Sequence, residues 1–179
     1  MRTILCPGMI LILAAVLGPV SAGAEILKVA PSEAVVLPAD GSGTSRVLLR
    51  FDLSGLREGV GRRIDAAVLD WPVAGVASDR LTEYTLHAVT GAWTAAGVAA
   101  GAVPAYDDEP ADLWDFSPRD FENNGGGLLR FHLDGLVRDW LAGNAGNFGV
   151  VIATEDLAPA ALSARLGAPS LTILYGFVR

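Results

Sequence analysis

The chain is almost without cysteine: its one thiol, Cys6, sits in an apolar N-terminal run. The remainder therefore has no disulfide, no thiol catalysis and no thiolate metal site, and must be held together by its core. Histidine is nearly as scarce, with only His87 and His132. No H-E-x-x-H, G-x-S-x-G or P-loop pattern occurs, so the enzyme classes that carry those signatures are not indicated. Carboxylate pairs for glycoside hydrolysis are assembled in space and leave no spacing signal, and nothing marks a particular pair here. An enzyme is not expected. A long apolar run is also missing, since Ile4 to Leu17 is interrupted by Pro7 and Gly8 and followed by Pro19. It is too short and broken for a stable membrane anchor.

What that N-terminus does have is Arg2 as a short positive region, the apolar run itself, and Ala22-Gly23-Ala24 in the small-x-small form that signal peptidase accepts. Residues 1–24 read as a signal peptide cleaved before Glu25, with a retained anchor as the alternative. The product would be secreted, either extracellular or periplasmic, with no stable membrane span. Thr3-Ile4-Leu5 ahead of Cys6 is no lipobox. The formal net charge of -7 becomes -8 once Arg2 is removed, and so acidic a surface argues against nucleic acid and anionic membranes as partners. Residues 25–179 are enough for one domain with its own core.

Period-2 alternation dominates that domain. Val47, Leu49, Phe51 and Leu53 share one face of a strand whose other face carries Arg46, Leu48, Arg50 and Asp52. Ile26 to Leu37, broken by Pro31, suits a short edge strand, and Asp40 to Gly43 a turn. Ala67, Leu69, Trp71 and Val73 mark a further strand, and Thr82 to Thr90 another. From Leu128 the chain reads LLRFHLDGLVRDWLAGNAGNFGVVI. Leu129, Phe131 and Leu133 alternate as a strand. Leu133, Leu136, Val137, Trp140 and Leu141 then fall on one helical stripe, predicting a helix over about 135–142 with Asp134 capping its amides. Gly143-Asn144 stops it, and Phe148, Val150 and Ile152 resume a strand. Many short strands, frequent turns and one helix predict an all-β sandwich. LLRFDLSGL at 48–56 and LLRFHLDGL at 128–136 differ at two of nine positions. They read as strands in comparable places, each folding a Leu back under its sheet, or as a chance match of amphipathic strands.

The stretch from Ala95 to Gly127 reads as a long loop, and such loops are often functional. Within it Trp114, flanked by Asp112 and Asp115, is the candidate exposed aromatic for stacking on a sugar, with Tyr106 and Asp112 beside it in sequence. Trp71, Trp93 and Trp140 fall on packing positions instead. Asp107, Asp108 and Glu109 offer oxygen ligands for a structural calcium, without EF-hand spacing, and a solvated acidic loop is the competing reading. No other cofactor is expected. Glu155-Asp156 is a weaker acidic pair. Arg50 and Asp52 read as a charge arrangement on one strand face.

RFDLSGL, Ile64-x-x-Ala67-x-Leu69, Leu86 to Thr94, LLRFHLDGLVRDWLAG, NFGVVIATED and Pro169 to Ile173 together resemble the DNRLRE domain family, also described as disaggregatase-related repeats and carbohydrate-binding module family 96. The resemblance covers Val47 to Tyr175 in order. It implies a jelly-roll-like β-sandwich, secreted and noncatalytic, whose partner is a polysaccharide or another envelope component. The alternative is a structural or adhesive surface protein working through protein contacts, with no sugar site. The chain departs from the family pattern before the RFDL strand and at Gly97 to Val103, both read as loops, so the departures bear on an inherited ligand or calcium site more than on the fold.

Overall fold

In a computed structural model, residues 24–37, 43–56, 62–73, 82–116, 127–155 and 167–177 are described. The expected signal peptide, except Ala24, lies outside them, as do residues 40–42 of the expected turn and Asp156. Among the described residues nine strands form in chain order: β1 (Glu25–Val29), β2 (Pro31–Val36), β3 (Ser45–Phe51), β4 (Arg62–Val73), β5 (Thr82–Ala88), β6 (Asp112–Phe116), β7 (Gly127–His132), β8 (Val150–Thr154) and β9 (Ser170–Phe177). A short helix α1 (Ala95–Ala99) precedes β6, and α2 (Asp134–Ala142) follows β7.

The strands make two antiparallel sheets, β1-β9-β4-β7 and β2-β3-β8-β5-β6. The pairs β1 with β9, β3 with β8, β4 with β7 and β5 with β6 are nested in sequence. A long hairpin rolled on itself pairs this way, which is the wrapping of a jelly roll. Strand β2 is the addition, laid antiparallel on β3 at the edge. The single edge strand expected over Ile26 to Leu37 is thus two, broken at Pro31, with one at an edge of each sheet. A proline that can donate no ladder bond suits the first residue of an edge strand.

Between the sheets lies the main core, with Leu49, Phe51, Leu69, Trp71, Tyr84, Leu86, Leu129, Phe131, Ile152, Leu171 and Ile173 all buried. Helix α2 closes one end through Val137 and Trp140. Gly143 takes the left-handed conformation expected at its C-terminus, with φ 76°. Its N-terminus differs from expectation. Asp134 caps no amide of its own helix; its Oδ1 accepts from the Ala67 N–H of β4. An acceptor on a helix that abuts a sheet can bind a strand amide as readily as a helical one.

A second, smaller core lies on the outer face of the five-stranded sheet and contains Leu37, Leu48, Val89, Trp93, Val98 and Val151. Residues 89–106, with α1 in their middle, fold over that face as a cap. The cap is held by a Val89–Tyr106 bridge and by bonds from the Thr90 amide to the Ala105 carbonyl and from the Asp107 amide to the Ala88 carbonyl, both 2.9 Å. This distinguishes the two echo segments. Leu48 has no exposed surface, whereas Leu128 is 39% exposed, because among the described residues no such cover lies on the outer face of the four-stranded sheet. Strand β3 sits one place in from an edge and β7 at one. Leu56 is buried at the end of its short turn, while Leu136 is only half-buried.

Ala95 to Gly127 is therefore not a structureless loop among its described residues. Thr94 caps α1 by accepting the Gly97 amide at 3.0 Å, and β6 pairs along β5 from Thr82 to Leu86. A five-residue helix of Ala and Gly with one Val, and a five-residue edge strand with two Asp, give little periodicity in sequence.

Candidate functional site

The cap stops short of the far end of the sheet, and the uncovered part is a groove of about 480 Å³. Register sets its floor. Thr85 lies opposite Ala153 on β8, and Ala153 opposite Arg46 on β3. Side chains directly opposite on antiparallel strands share a face, so a methyl group lies between two longer chains and the middle of the floor is low. The next row in the cap's direction, His87, Val151 and Leu48, is already covered. Tyr106, at the end of the cap, and Asp108, just beyond it, form one wall, and Glu83, Thr44 and Glu155 line the groove near the ends of the strands.

His87 anchors the wall. Its ring is buried and meets Tyr106 edge to face, with centroids 5.6 Å apart at 64°. Its Nδ1 lies 2.9 Å from the Asp107 carbonyl and its Nε2 2.9 Å from the Thr85 hydroxyl. A carbonyl only accepts, so Nδ1 carries the proton. In the neutral ring Nε2 then accepts the Thr85 hydrogen, which leaves the Thr85 oxygen to offer lone pairs to the groove.

The groove thus brings together Tyr106, Asp108 and Glu155, three of the residues singled out from sequence, with Arg46, Glu83, Thr85 and His87, which sequence reasoning did not select. The missed signal is the polar outer row of β5, Glu83-Thr85-His87, on a strand whose inner row is apolar. Trp114 and Asp112 lie elsewhere. Trp114 is in β6 opposite Tyr84, half-buried, and packs against the main core. It is not the exposed loop aromatic expected. Asp112 holds the two sheets together, its carboxylate accepting the His132 amide of β7 at 2.6 Å and its own neighbour's amide, Leu113, at 2.9 Å. Asp107, Asp108 and Glu109 are exposed, and among the described residues no group of three or more His, Cys, Asp or Glu side chains is placed to hold a metal ion.

The other tryptophans are structural. Trp71 Nε1 donates to the Gly167 carbonyl at 2.9 Å and Trp93 Nε1 to the Phe148 carbonyl at 2.7 Å. Arg50 and Asp52 do not act as the pair suggested by the sequence. Arg50 bonds the Trp93 carbonyl, stacks 4.4 Å from that ring's centroid and pairs with Glu33 at 3.2 Å. Asp52 accepts the Ser54 amide at 2.9 Å, and this bond holds its carboxyl below the ordinary aspartate pKa.

Two further hollows lie away from this groove. One, of about 570 Å³, lies between β3 and α2, where Phe51, Leu53, Trp140 and Leu141 mix with Ser32, Arg50, Asp52, Ser54 and Asn147. The other, of about 330 Å³, is an apolar crevice beside α1. Among the described residues no helix is long and apolar enough to cross a membrane. No protein-family model matches the chain, and a search of curated proteins returns no match.

Proposed function

We propose that the protein is a noncatalytic exported module that binds carbohydrate, such as an envelope polysaccharide, in the groove on the outer face of its five-stranded sheet. The observation that carries this reading is the combination of an open, low-floored groove with one aromatic wall, Tyr106 over His87, and a lining of hydroxyl, carboxylate and guanidinium groups. An aromatic face covers the C–H side of a sugar ring while convergent polar groups bond its hydroxyls. The resemblance of the sequence to the DNRLRE family supports the same class of function, and the signal-like N-terminus supports export.

Affinity electrophoresis against neutral, acidic and amino polysaccharides, with and without calcium, tests the reading. At least one polymer should retard the protein, and Tyr106→Ala should weaken that retardation roughly five- to tenfold, the worth of one aromatic contact. Retardation by none would overturn it. The calcium arm tests the acidic run Asp107 to Glu109 as a metal site.

The second reading, a structural or adhesive protein working through protein contacts, has its own observation. On the outer face of the four-stranded sheet, Ile26, Leu174 and Ala66 form one apolar row and Pro72 and Leu128 another, with Ile26 68% exposed. Apolar rows of this kind are common at protein contacts.

A further inference from the structure

Resting on the carbohydrate reading of the groove, we infer that its ligand is a glycan bearing free, protonated amino groups, in preference to N-acetylated or uronic-acid chains. Charge is the first reason. Glu83, Asp108 and Glu155 line the groove against the single guanidinium of Arg46. Arg46 and Glu83 each already engage another group of the protein, while Asp108, just beyond the cap, and Glu155, just past β8, are both exposed. The site therefore presents net negative charge inside a protein of formal net charge -7, and a concave acidic surface concentrates cations and repels carboxylates.

Hydrogen-bond polarity is the second and independent reason. The Nδ1 contact of His87 to a carbonyl fixes the direction of the chain His87–Thr85, so with the ring neutral the Thr85 oxygen faces the groove as an acceptor. Ionised carboxylates are acceptors only. A lining dominated by acceptors needs a ligand rich in donors, and an ammonium group supplies three, where an N-acetyl group supplies one and a carboxylate none.

Calorimetric titration of the protein with hexasaccharides of glucosamine, N-acetylglucosamine and galacturonic acid, at neutral pH, tests this. The glucosamine oligomer should bind most tightly and lose affinity as salt is raised. Glu83→Gln and Asp108→Asn should each weaken it about threefold, as expected for partly exposed ion pairs. Asp139→Asn, on α2 and away from the groove, should leave it unchanged, and circular dichroism should show all three variants folded. Equal or tighter binding of the acetylated or uronic oligomer, still weakened by Tyr106→Ala, would overturn the charge inference and leave the carbohydrate reading standing. An equal loss in Asp139→Asn would reduce the binding to general charge attraction and overturn the inference. Binding of none of the three, nor of any polymer in the electrophoresis panel, would overturn both.

Discussion

Replacing Trp93 by Ala removes the centre of the second core, and the groove's wall depends on that core. The indole is buried against Leu48, Val89, Val98 and Val151, donates to the Phe148 carbonyl at 2.7 Å and stacks under the Arg50 guanidinium at 4.4 Å. Truncating a buried aromatic to Ala costs about 3–5 kcal/mol once the cavity is included. Within that figure, the hydrogen bond accounts for about 1 kcal/mol and the cation–π contact for about 0.5–1 kcal/mol. Trp93→Phe keeps most of the volume and a weaker cation–π contact but loses the indole N–H bond to Phe148, so it should cost about 1–2 kcal/mol. In a domain of this size the Ala variant should melt on the order of 10 °C lower. Denaturant unfolding followed by circular dichroism gives the totals, and amide hydrogen exchange gives the location. The Thr90 and Asp107 amides, which tie the two ends of the cap to each other and to β5, should lose protection well before those of Leu129 and Phe131 in the main core. Glycan binding should weaken in parallel, because Tyr106 and Asp108 leave their wall. A cost below about 1 kcal/mol, or a loss of protection spread evenly over both sheets, would refute the claim that a separate core holds the cap.

Gly149 has φ 93°, and a Cβ there would lie 2.1 Å from the Leu49 carbonyl oxygen, so Gly149→Ala should cost about 3 kcal/mol or more by chemical denaturation. Gly143→Ala, at φ 76° with open space around it, should cost only the left-handed strain of about 1–2 kcal/mol. Asp112→Asn replaces one of two acceptor oxygens with a donor, and should destabilise by about 1–2 kcal/mol without changing glycan affinity. Asp52 has a folded-state pKa below its unfolded value, so its contribution is present above the unfolded value and lost as pH falls through the folded one. The wild type should therefore lose more stability on acidification than Asp52→Asn, which keeps the acceptor for Ser54 and does not titrate. Stability measured at neutral and acid pH checks the sign.

The core was legible in sequence because its signal is local. Leu129 and Phe131 alternate, Val137 and Trp140 share a helical stripe, and Gly143 ends the helix, all decided within a few residues. The sandwich class followed from such segments. What stayed hidden depends on partners distant in sequence. Asp134 reads as a helix cap until β4 brings the Ala67 amide to it. Trp114 reads as a loop aromatic until β5 lies beside it and places it opposite Tyr84. Within the groove, Tyr106 and Asp108 drew notice because they sit among turn residues and acids. Arg46, Thr85 and His87 did not, because a polar row on a strand looks like any solvated face until a cap is known to wall it.

Two-dimensional amide NMR of the protein during titration with an oligosaccharide from whichever polymer retards it addresses the groove directly. Binding in the groove predicts that shift changes cluster on Arg46, on Glu83 to His87, on Tyr106 to Asp108 and on Ala153 to Glu155. Changes centred instead on α2 and Asn147, or on the outer face of the four-stranded sheet around Ile26 and Leu174, would contradict it.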